Sequence, residues 1–350
     1  VSLTASRKAL IGYAVGAFAF LGLCFFLLER RPTLIVLGGS TMGTSWSLQY
    51  WSEADPLEDL ETVLSAELRR LDKEVFSTYA PESELSRLNR DESHATEVSA
   101  DLFTVLQLAQ EVHRQSGGAF DPTVGPLVRL WGFGPDAPAP GLPDEHSLHM
   151  ARAKVGMSRL QLEEEGRRVA RAPGIELDLS AIAKGYAVDV LAQLLHERGI
   201  DDYLLEIGGE VRVAGYKPDG SSWRIAIERP TEVEPQAFAV IDADGAAFAL
   251  AGSGDYRNYR ELNGKRYSHE IDPRTGWPVA HALRAVTVVA PKAALADAWA
   301  TALLVLGPEE GLRIADGLGL AAYFIIQTNQ GFAAQSSQRF KERFSGLDAL

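Results

Sequence analysis

The amino-acid sequence predicts an α+β fold, on three observations. Leu57, Leu60, Leu64, Leu68, Leu71 and Val75 recur at helical spacing and give one early helix a single apolar face. After residue 203, short apolar runs bounded by turn residues follow one another, segregated from the helices. The composition, 46% hydrophobic and 23% charged over 350 residues, suffices for one large domain or two lobes.

Along the chain, residues 9–28 carry no charge and are flanked by Arg7-Lys8 and Glu29-Arg30-Arg31. At about 1.5 Å per residue such a run crosses a hydrocarbon core of about 30 Å. Cys24-Phe25-Phe26-Leu27-Leu28 offers no small-residue cleavage site. Residues 1–31 are therefore expected to be an uncleaved membrane anchor, one transmembrane helix, although Lys and Arg balance across it and do not orient it. Cys24 is the only cysteine, which excludes an internal disulfide and a thiolate zinc site.

Strands are expected at 34–37 and 46–50 around a glycine loop, GGSTMGT at 38–44. The helix through Leu57 to Val75 follows, then a second over 101–115, capped by Ser99 and ended by Gly117 and Gly118. Residues 132–143 are dense in proline and glycine and read as a long surface loop and lobe boundary. A hairpin is expected over 159–163 and 167–171, a strand over 175–177, and a helix over 180–198. Further strands are expected at 203–207, 223–228, 238–241, 247–251 and 283–289, then helices at 293–306 and 308–315 and strands at 321–326 and 331–334.

The formal net charge of -13, without a Lys/Arg cluster, excludes a nucleic-acid surface. No P-loop and no G-x-G-x-x-G between strand and helix is present. Chemistry instead concentrates in four glycine-rich islands: 38–44, 117–134, 178–189 and 252–278. In DLSAIAKGYAVD a strand becomes a helix, where free N–H groups and Lys184 favour an anion; a capping aspartate beside a surface lysine reads equally well. Tyr256, Arg257, Arg260, Lys265, Arg266, Tyr267 and His269 crowd one short stretch of an acidic chain, which suits a phosphorylated aromatic ligand. Asp297 and Thr301, four residues apart on one helix, share a face and present oxygen, which suits magnesium or calcium rather than zinc; an ordinary helical hydrogen bond is the simpler alternative.

The order TMGT, FSTYAPESELSRLN, GGAFDPTVGPLVRLWGFG, LDLSAIAKGYAVD, LLEIGGEVRVAG, SHEIDPRTGWP and ADAWATALLVLG resembles the ApbE family, the FAD:protein FMN transferases, over roughly 38–330. The resemblance implies a two-lobed, T-fold-like architecture with mixed or antiparallel sheets over residues 32–350. It implies FAD contacts from Met42, Tyr79, Ala119, Phe120, Asp121, Asp178, Lys184, Gly254 and His269, with Gly208 and Gly209 admitting the ligand close to the backbone. A magnesium set is implied from the Ala181 carbonyl, Asp297 and Thr301. Two positions depart from the family pattern: Glu270, where an apolar residue is usual and an alternating strand would make it harmless, and Ala300, where some members offer oxygen.

The implied reaction is attack by a Thr or Ser hydroxyl of an acceptor flavoprotein on the FMN phosphorus of FAD, releasing AMP. His269 is the first choice for accepting the proton and Asp178 the second, with Lys184 assisting electrostatically. The implied acceptors belong to membrane redox complexes and present the hydroxyl outside the cytoplasm. This orients the anchor in the inner membrane with the catalytic domain periplasmic. The alternatives are a hydrolase giving FMN and AMP, and a flavin-binding protein without turnover.

Overall fold

The computed structural model describes residues 32–53, 59–93, 95–135, 141–231, 236–345 and 347. The anchor expected over 1–31 lies outside them. No helix among the described residues is long and apolar enough to cross a membrane.

The α+β expectation holds. One eight-stranded antiparallel sheet organises the chain, from β1 (Thr33–Thr41), β2 (Thr44–Ser52), β3 (Tyr203–Ile207), β4 (Glu210–Ala214), β5 (Phe248–Gly254), β6 (Leu283–Ala290) and β7 (Ala321–Thr328) to β8 (Gly331–Ser336). These strands lie side by side in chain order, each antiparallel to the next. The remaining elements lie in the connections between them, apart from one helix after β8.

The glycine island at 38–44 is not the loop its glycines suggest. Pairing runs to Thr41↔Thr44, so only Met42 and Gly43 turn, both at positive φ (48° and 74°), the two-residue geometry that matches strand twist. Gly38 and Gly39 sit inside β1 because Trp46 of β2 crowds them. A Cβ on Gly38 would meet the Trp46 carbonyl oxygen at 2.8 Å, and one on Gly39 the indole nitrogen at 2.9 Å.

Alternation along the central strands feeds two cores. Ala249 and Ala251 of β5, with Val286 and Val288 of β6, face the helices; Phe248, Leu250, Ala285 and Val289 face the other side. Strands buried on both faces read as continuous apolar runs, as LRAVTVVA does. The first face is covered by α1 (Leu60–Arg69), α2 (Ala100–Gln115), α3 (Ala183–Glu197) and α4 (Ala293–Leu318). The second is covered by the hairpin Arg224–Glu228/Ala237–Asp242 and a terminal helix, Gln338–Arg343, whose Phe340 is buried.

Several expectations need correction. The apolar stripe from Leu60 to Val75 is continuous, but α1 ends at Arg69 and a π-helical stretch, Arg70–Phe76, carries Leu71 and Val75 into the core; Leu57 lies outside the described residues. The strand expected at 175–177 is a single parallel bridge, Val124↔Glu176, because Asn89 takes the Leu177 backbone on both its polar groups. The helix expected from 180 starts at Ala183, which leaves Asp178, Ser180 and Ala181 in the loop before it. Short helices at Glu84–Arg90, Gly125–Leu130 and Glu145–Arg152 were not expected. The last two flank the proline-rich segment, whose residues 136–140 are not described, and pack together through Leu127, Trp131, Leu148 and Ala151. The two helices expected at 293–306 and 308–315 form one path broken at Gly307 (φ 81°, ψ -178°) before Pro308.

α3 packs tightly against α4 at Gly185. A Cβ on Gly185 would stand 2.3 Å from the Ala293 carbonyl oxygen. The Asp189 carboxylate accepts the N–H groups of Ala293 and Ala294 at 2.8 and 3.0 Å and so caps α4 from another helix.

Candidate functional site

Four connections of the sheet and the end of β5 converge on one cleft of about 500 Å³. Thr78 and Tyr79, the turn Ala119–Phe120–Asp121, and the loop with Asp178, Ser180 and Ala181 come from the long excursion between β2 and β3. Lys184 follows in the first turn of α3. Gly208 and Glu210 come from the β3–β4 turn, Gly252 to Gly254 from the end of β5, Tyr256 to Asn258 and His269 to Ile271 from the β5–β6 connection, and Asp297 and Thr301 from α4. Of the expected site residues, Met42 does not line this cleft. It packs partly buried against the helix-side core, and its N–H donates to Asp72 Oδ2 at 3.1 Å. Gly209 is likewise outside the lining, its N–H given to Glu206 Oε1 at 2.6 Å.

Asp178 orders its own loop, accepting the Ser180 N–H at 2.9 Å, while its backbone N–H reaches the Pro122 carbonyl at 2.8 Å. Asp121 lines the wall, but its carboxylate is engaged elsewhere: Oδ1 accepts from the N–H and hydroxyl of Thr123 at 2.8 and 2.6 Å, and Oδ2 from the Met157 N–H at 3.2 Å. It organises the turn that carries Ala119 and Phe120, both buried. Tyr79 is the opposite case, 67% exposed at the mouth with its hydroxyl 3.4 Å from the Phe133 carbonyl.

His269 is held by a single carbonyl, Asn258 O, at 2.9 Å from Nδ1 and 3.2 Å from the backbone N–H. A carbonyl can only accept, so Nδ1 donates to it, and Nε2 is the ring nitrogen left for another partner. Nε2 lies 3.5 Å from Glu270 Oε1.

The floor is a dense charge cluster. Lys184 Nζ is 3.2 Å from Glu210 Oε1, and Glu210, Glu270 and Asp297 are all buried. Burial alone would push the Lys184 ammonium down, but Asp297, Glu210 and Glu270 outweigh it and hold the group above its usual range. Burial raises Glu210, and Lys184 offsets this only in part while Asp297 adds to it. Burial likewise raises Asp297 and Glu270 against the pull of nearby cations. One lysine thus faces three buried carboxylates, and Glu210 Oε2 has no hydrogen-bond partner. Such a surplus of negative charge fits a cation. Asp297 Oδ2 is fixed by the Gly185 N–H at 3.0 Å, and Thr301 Oγ1 lies 3.0 Å from Ser253 Oγ. Among the described residues no three His, Cys, Asp or Glu side chains form a metal cage of their own.

Two of these groups escaped sequence reasoning. Glu210 follows two glycines in LLEIGGEVRVAG, a signal that burial alone makes meaningful. Glu270 is not on an alternating strand: the strand Lys265–Ser268 ends before it, and its carboxylate turns into the cleft. The cationic stretch divides. Tyr256, Arg257 and His269 line the cleft, whereas Arg260 donates to the Trp131 carbonyl at 2.7 Å, and Lys265, Arg266 and Tyr267 lie on a hairpin beyond the lining.

Fold and cleft together define an α+β protein that gathers charged groups from the loops of one antiparallel sheet around a ligand cleft. The chain belongs to the ApbE family, whose profile matches residues 42–324. It is 40% identical over 323 residues to the FAD:protein FMN transferase of Haemophilus influenzae, covering 90% of this chain and 92% of that one. It is 41% identical over 318 residues to the protein of the same name from Vibrio cholerae serotype O1, covering 89% and 93%. A solved structure, the flavin transferase ApbE from Vibrio cholerae, superimposes with a TM-score of 0.81 at 38% identity, covering 89% of this chain and 99% of the other.

Proposed function

We propose that this chain is a magnesium-dependent transferase that moves the FMN half of FAD onto a Thr or Ser hydroxyl of an acceptor flavoprotein. The observation that carries the reading is the convergence of Lys184, His269, Asp297 and Thr301, distant in sequence, on one cleft whose floor holds more buried carboxylates than cations. Membership of the family and the names of its relatives agree with it.

In this reading Asp178, Lys184, Gly254 and the turn Ala119 to Asp121 hold FAD, with Tyr79 over the mouth. The acceptor oxygen forms a bond to the FMN phosphorus as the phosphorus–oxygen bond of the pyrophosphate breaks, and AMP leaves with the bridging oxygen. The hydroxyl proton passes to Nε2 of neutral His269, the ring nitrogen that Asn258 does not engage. Lys184, kept charged by its carboxylate neighbours, offsets charge on the pyrophosphate. The Ala181 carbonyl, Asp297 and Thr301 would hold magnesium, which when bound would add neutralisation of the pyrophosphate charge. Water competes for the phosphorus, but a docked hydroxyl gains an effective molarity of up to about 10⁵–10⁸ M.

We place the catalytic region, residues 32–350, on the periplasmic side of the inner membrane, tethered by residues 1–31, with acceptors in membrane redox complexes. The uncharged run 9–28 supports the tether. Full-length protein that leaves the membrane in a salt wash would remove it.

The test of function is mass spectrometry of flavin-free acceptor flavoproteins incubated with the chain, FAD and magnesium. One acceptor should gain the mass of FMN, FAD consumption should be slow without it, and His269→Ala should depress both rates. Equal FAD consumption with and without acceptor, with no mass gain, would make the protein a hydrolase.

A further inference from the structure

The cationic stretch singled out in the sequence is only partly used by the cleft. Its unused part is the hairpin Tyr259–Leu262/Lys265–Ser268, which pairs with itself and with no other strand. Both roots of the hairpin line the cleft, Tyr256 to Asn258 before it and His269 to Ile271 after it. With four residues per arm at about 3.3 Å each, the turn at Asn263-Gly264 reaches up to roughly 13 Å beyond those roots. A molecule larger than the flavin that approaches His269 meets this hairpin.

The hairpin carries three cations, Arg260, Lys265 and Arg266, against one acid, Glu261, which stands opposite Arg266 across the pair, in a chain of formal net charge -13. Lys265 and Arg266 are both exposed. Each is braced by a ring: Lys265 Nζ lies 5.4 Å from the Tyr267 centroid and the Arg266 guanidinium 4.3 Å from that of Tyr259. Lys265 makes no ion pair among the described residues. At the foot of the hairpin Tyr267 stacks on Trp131 at 5.4 Å, and Trp131 meets Trp277 at 5.1 Å, leaving Trp277 43% exposed. The Trp131 indole N–H donates to the Gly276 carbonyl at 2.8 Å, so this aromatic base is fixed. An arginine stacked on a ring and an exposed tryptophan on a fixed aromatic base are residue types that protein interfaces favour.

We propose that this hairpin, with Trp277 at its foot, is where the acceptor protein docks, and that the acceptor offers it an acidic segment. The inference rests on the transferase reading above. Docking here sets the acceptor beside the two cleft-lining stretches and leaves the flavin pocket untouched, so its signature is in acceptor KM alone.

The probe is the flavin-free form of a membrane flavoprotein that the wild-type chain labels with FMN. The double variant Lys265→Glu/Arg266→Glu should raise acceptor KM about tenfold or more, because like charges then meet. FAD affinity and acceptor-free FAD consumption should stay within about twofold, and added salt should weaken acceptor binding by the wild type more than by the variant. Lys265→Gln/Arg266→Gln should fall between, and Trp277→Ala should raise KM without changing the salt dependence. An acceptor KM unchanged in the double variant, with labelling by the wild type intact, overturns the docking surface alone. If that variant instead loses only its binding to phosphatidylglycerol vesicles, the hairpin faces lipid and the proposal falls. No labelled protein with the wild type removes the transferase reading, and the docking surface with it.

Discussion

Replacing Gly185 with alanine tests whether the α3–α4 contact governs both stability and the site. The added methyl would stand 2.3 Å from the Ala293 carbonyl oxygen, 2.6 Å from its carbon and 2.8 Å from Ala294 Cα, all inside the 3.0 Å that real Cβ atoms respect. All three are backbone atoms, so no side chain can swing aside and the helices must part. Overpacking of this kind costs about 1–3 kcal/mol. Separation also stretches the 3.0 Å bond from the Gly185 N–H to Asp297, whose loss costs about 1.5–3 kcal/mol for a charged acceptor. Alanine returns up to about 1 kcal/mol of helix propensity. The net expectation is a loss of about 2–4 kcal/mol, read as a lower urea midpoint, together with weaker magnesium dependence of turnover because Asp297 is no longer held. Gly317→Ala is the control: nothing lies within 4 Å of its added Cβ, so stability should stay equal or rise by up to about 1 kcal/mol. A Gly185→Ala protein as stable as the wild type would refute the reasoning.

Asp297→Ala should abolish magnesium-dependent turnover while circular dichroism stays that of the folded protein, with Thr301→Ala doing less; unchanged magnesium dependence would remove Asp297 from the metal set. Burial holds Glu210 and Glu270 above the ordinary carboxylate range, so the folded chain binds more protons than the unfolded one between that range and their raised values. Without magnesium the melting temperature should therefore rise as pH falls from 8 to 6, and the rise should shrink in Glu210→Gln; a melting temperature that falls over that window contradicts the assignment. Asp121→Ala strips three donors of a charged acceptor and should cost about 2–4 kcal/mol in a urea titration, with Asp121→Asn recovering part of it.

Much of this architecture was legible because its signals are local. The continuous apolar run of β6, the Ser99 cap, the Gly307-Pro308 break and the i, i+4 relation of Asp297 and Thr301 each need only a few residues to be read. The glycines of 38–44 misled because glycine serves both turns and crowded strand pairs, and only Trp46 across the pair distinguishes them. Short helices such as Glu84–Arg90 carry too few turns for a periodic pattern, although Ser83 does cap that one. The islands pointed to the cleft, but the roles of Asp121 and Glu270 depend on which way a carboxylate turns after folding. Glu210 matters for the same reason: its burial beside Lys184 joins segments with no local relation in sequence.

The chain order of the main sheet has a consequence for how the protein reaches its native state. From β3 to β8 each strand finds its partner across a connection of modest length, and two of those connections are tight turns. The β1–β2 hairpin must instead join β3 across an excursion of about 150 residues, a loop-closure cost of about 4 kcal/mol on logarithmic scaling. Until that junction closes, β2 is an open edge beside Trp46 and Tyr50, both buried in the native core. Refolding should therefore show β3–β8 protected from hydrogen exchange before β1 and β2. Lys184 can arrive before that step, because α3 packs on α4, whereas Thr78 and Tyr79, which lie nearest β2 in the chain, would join the cleft last.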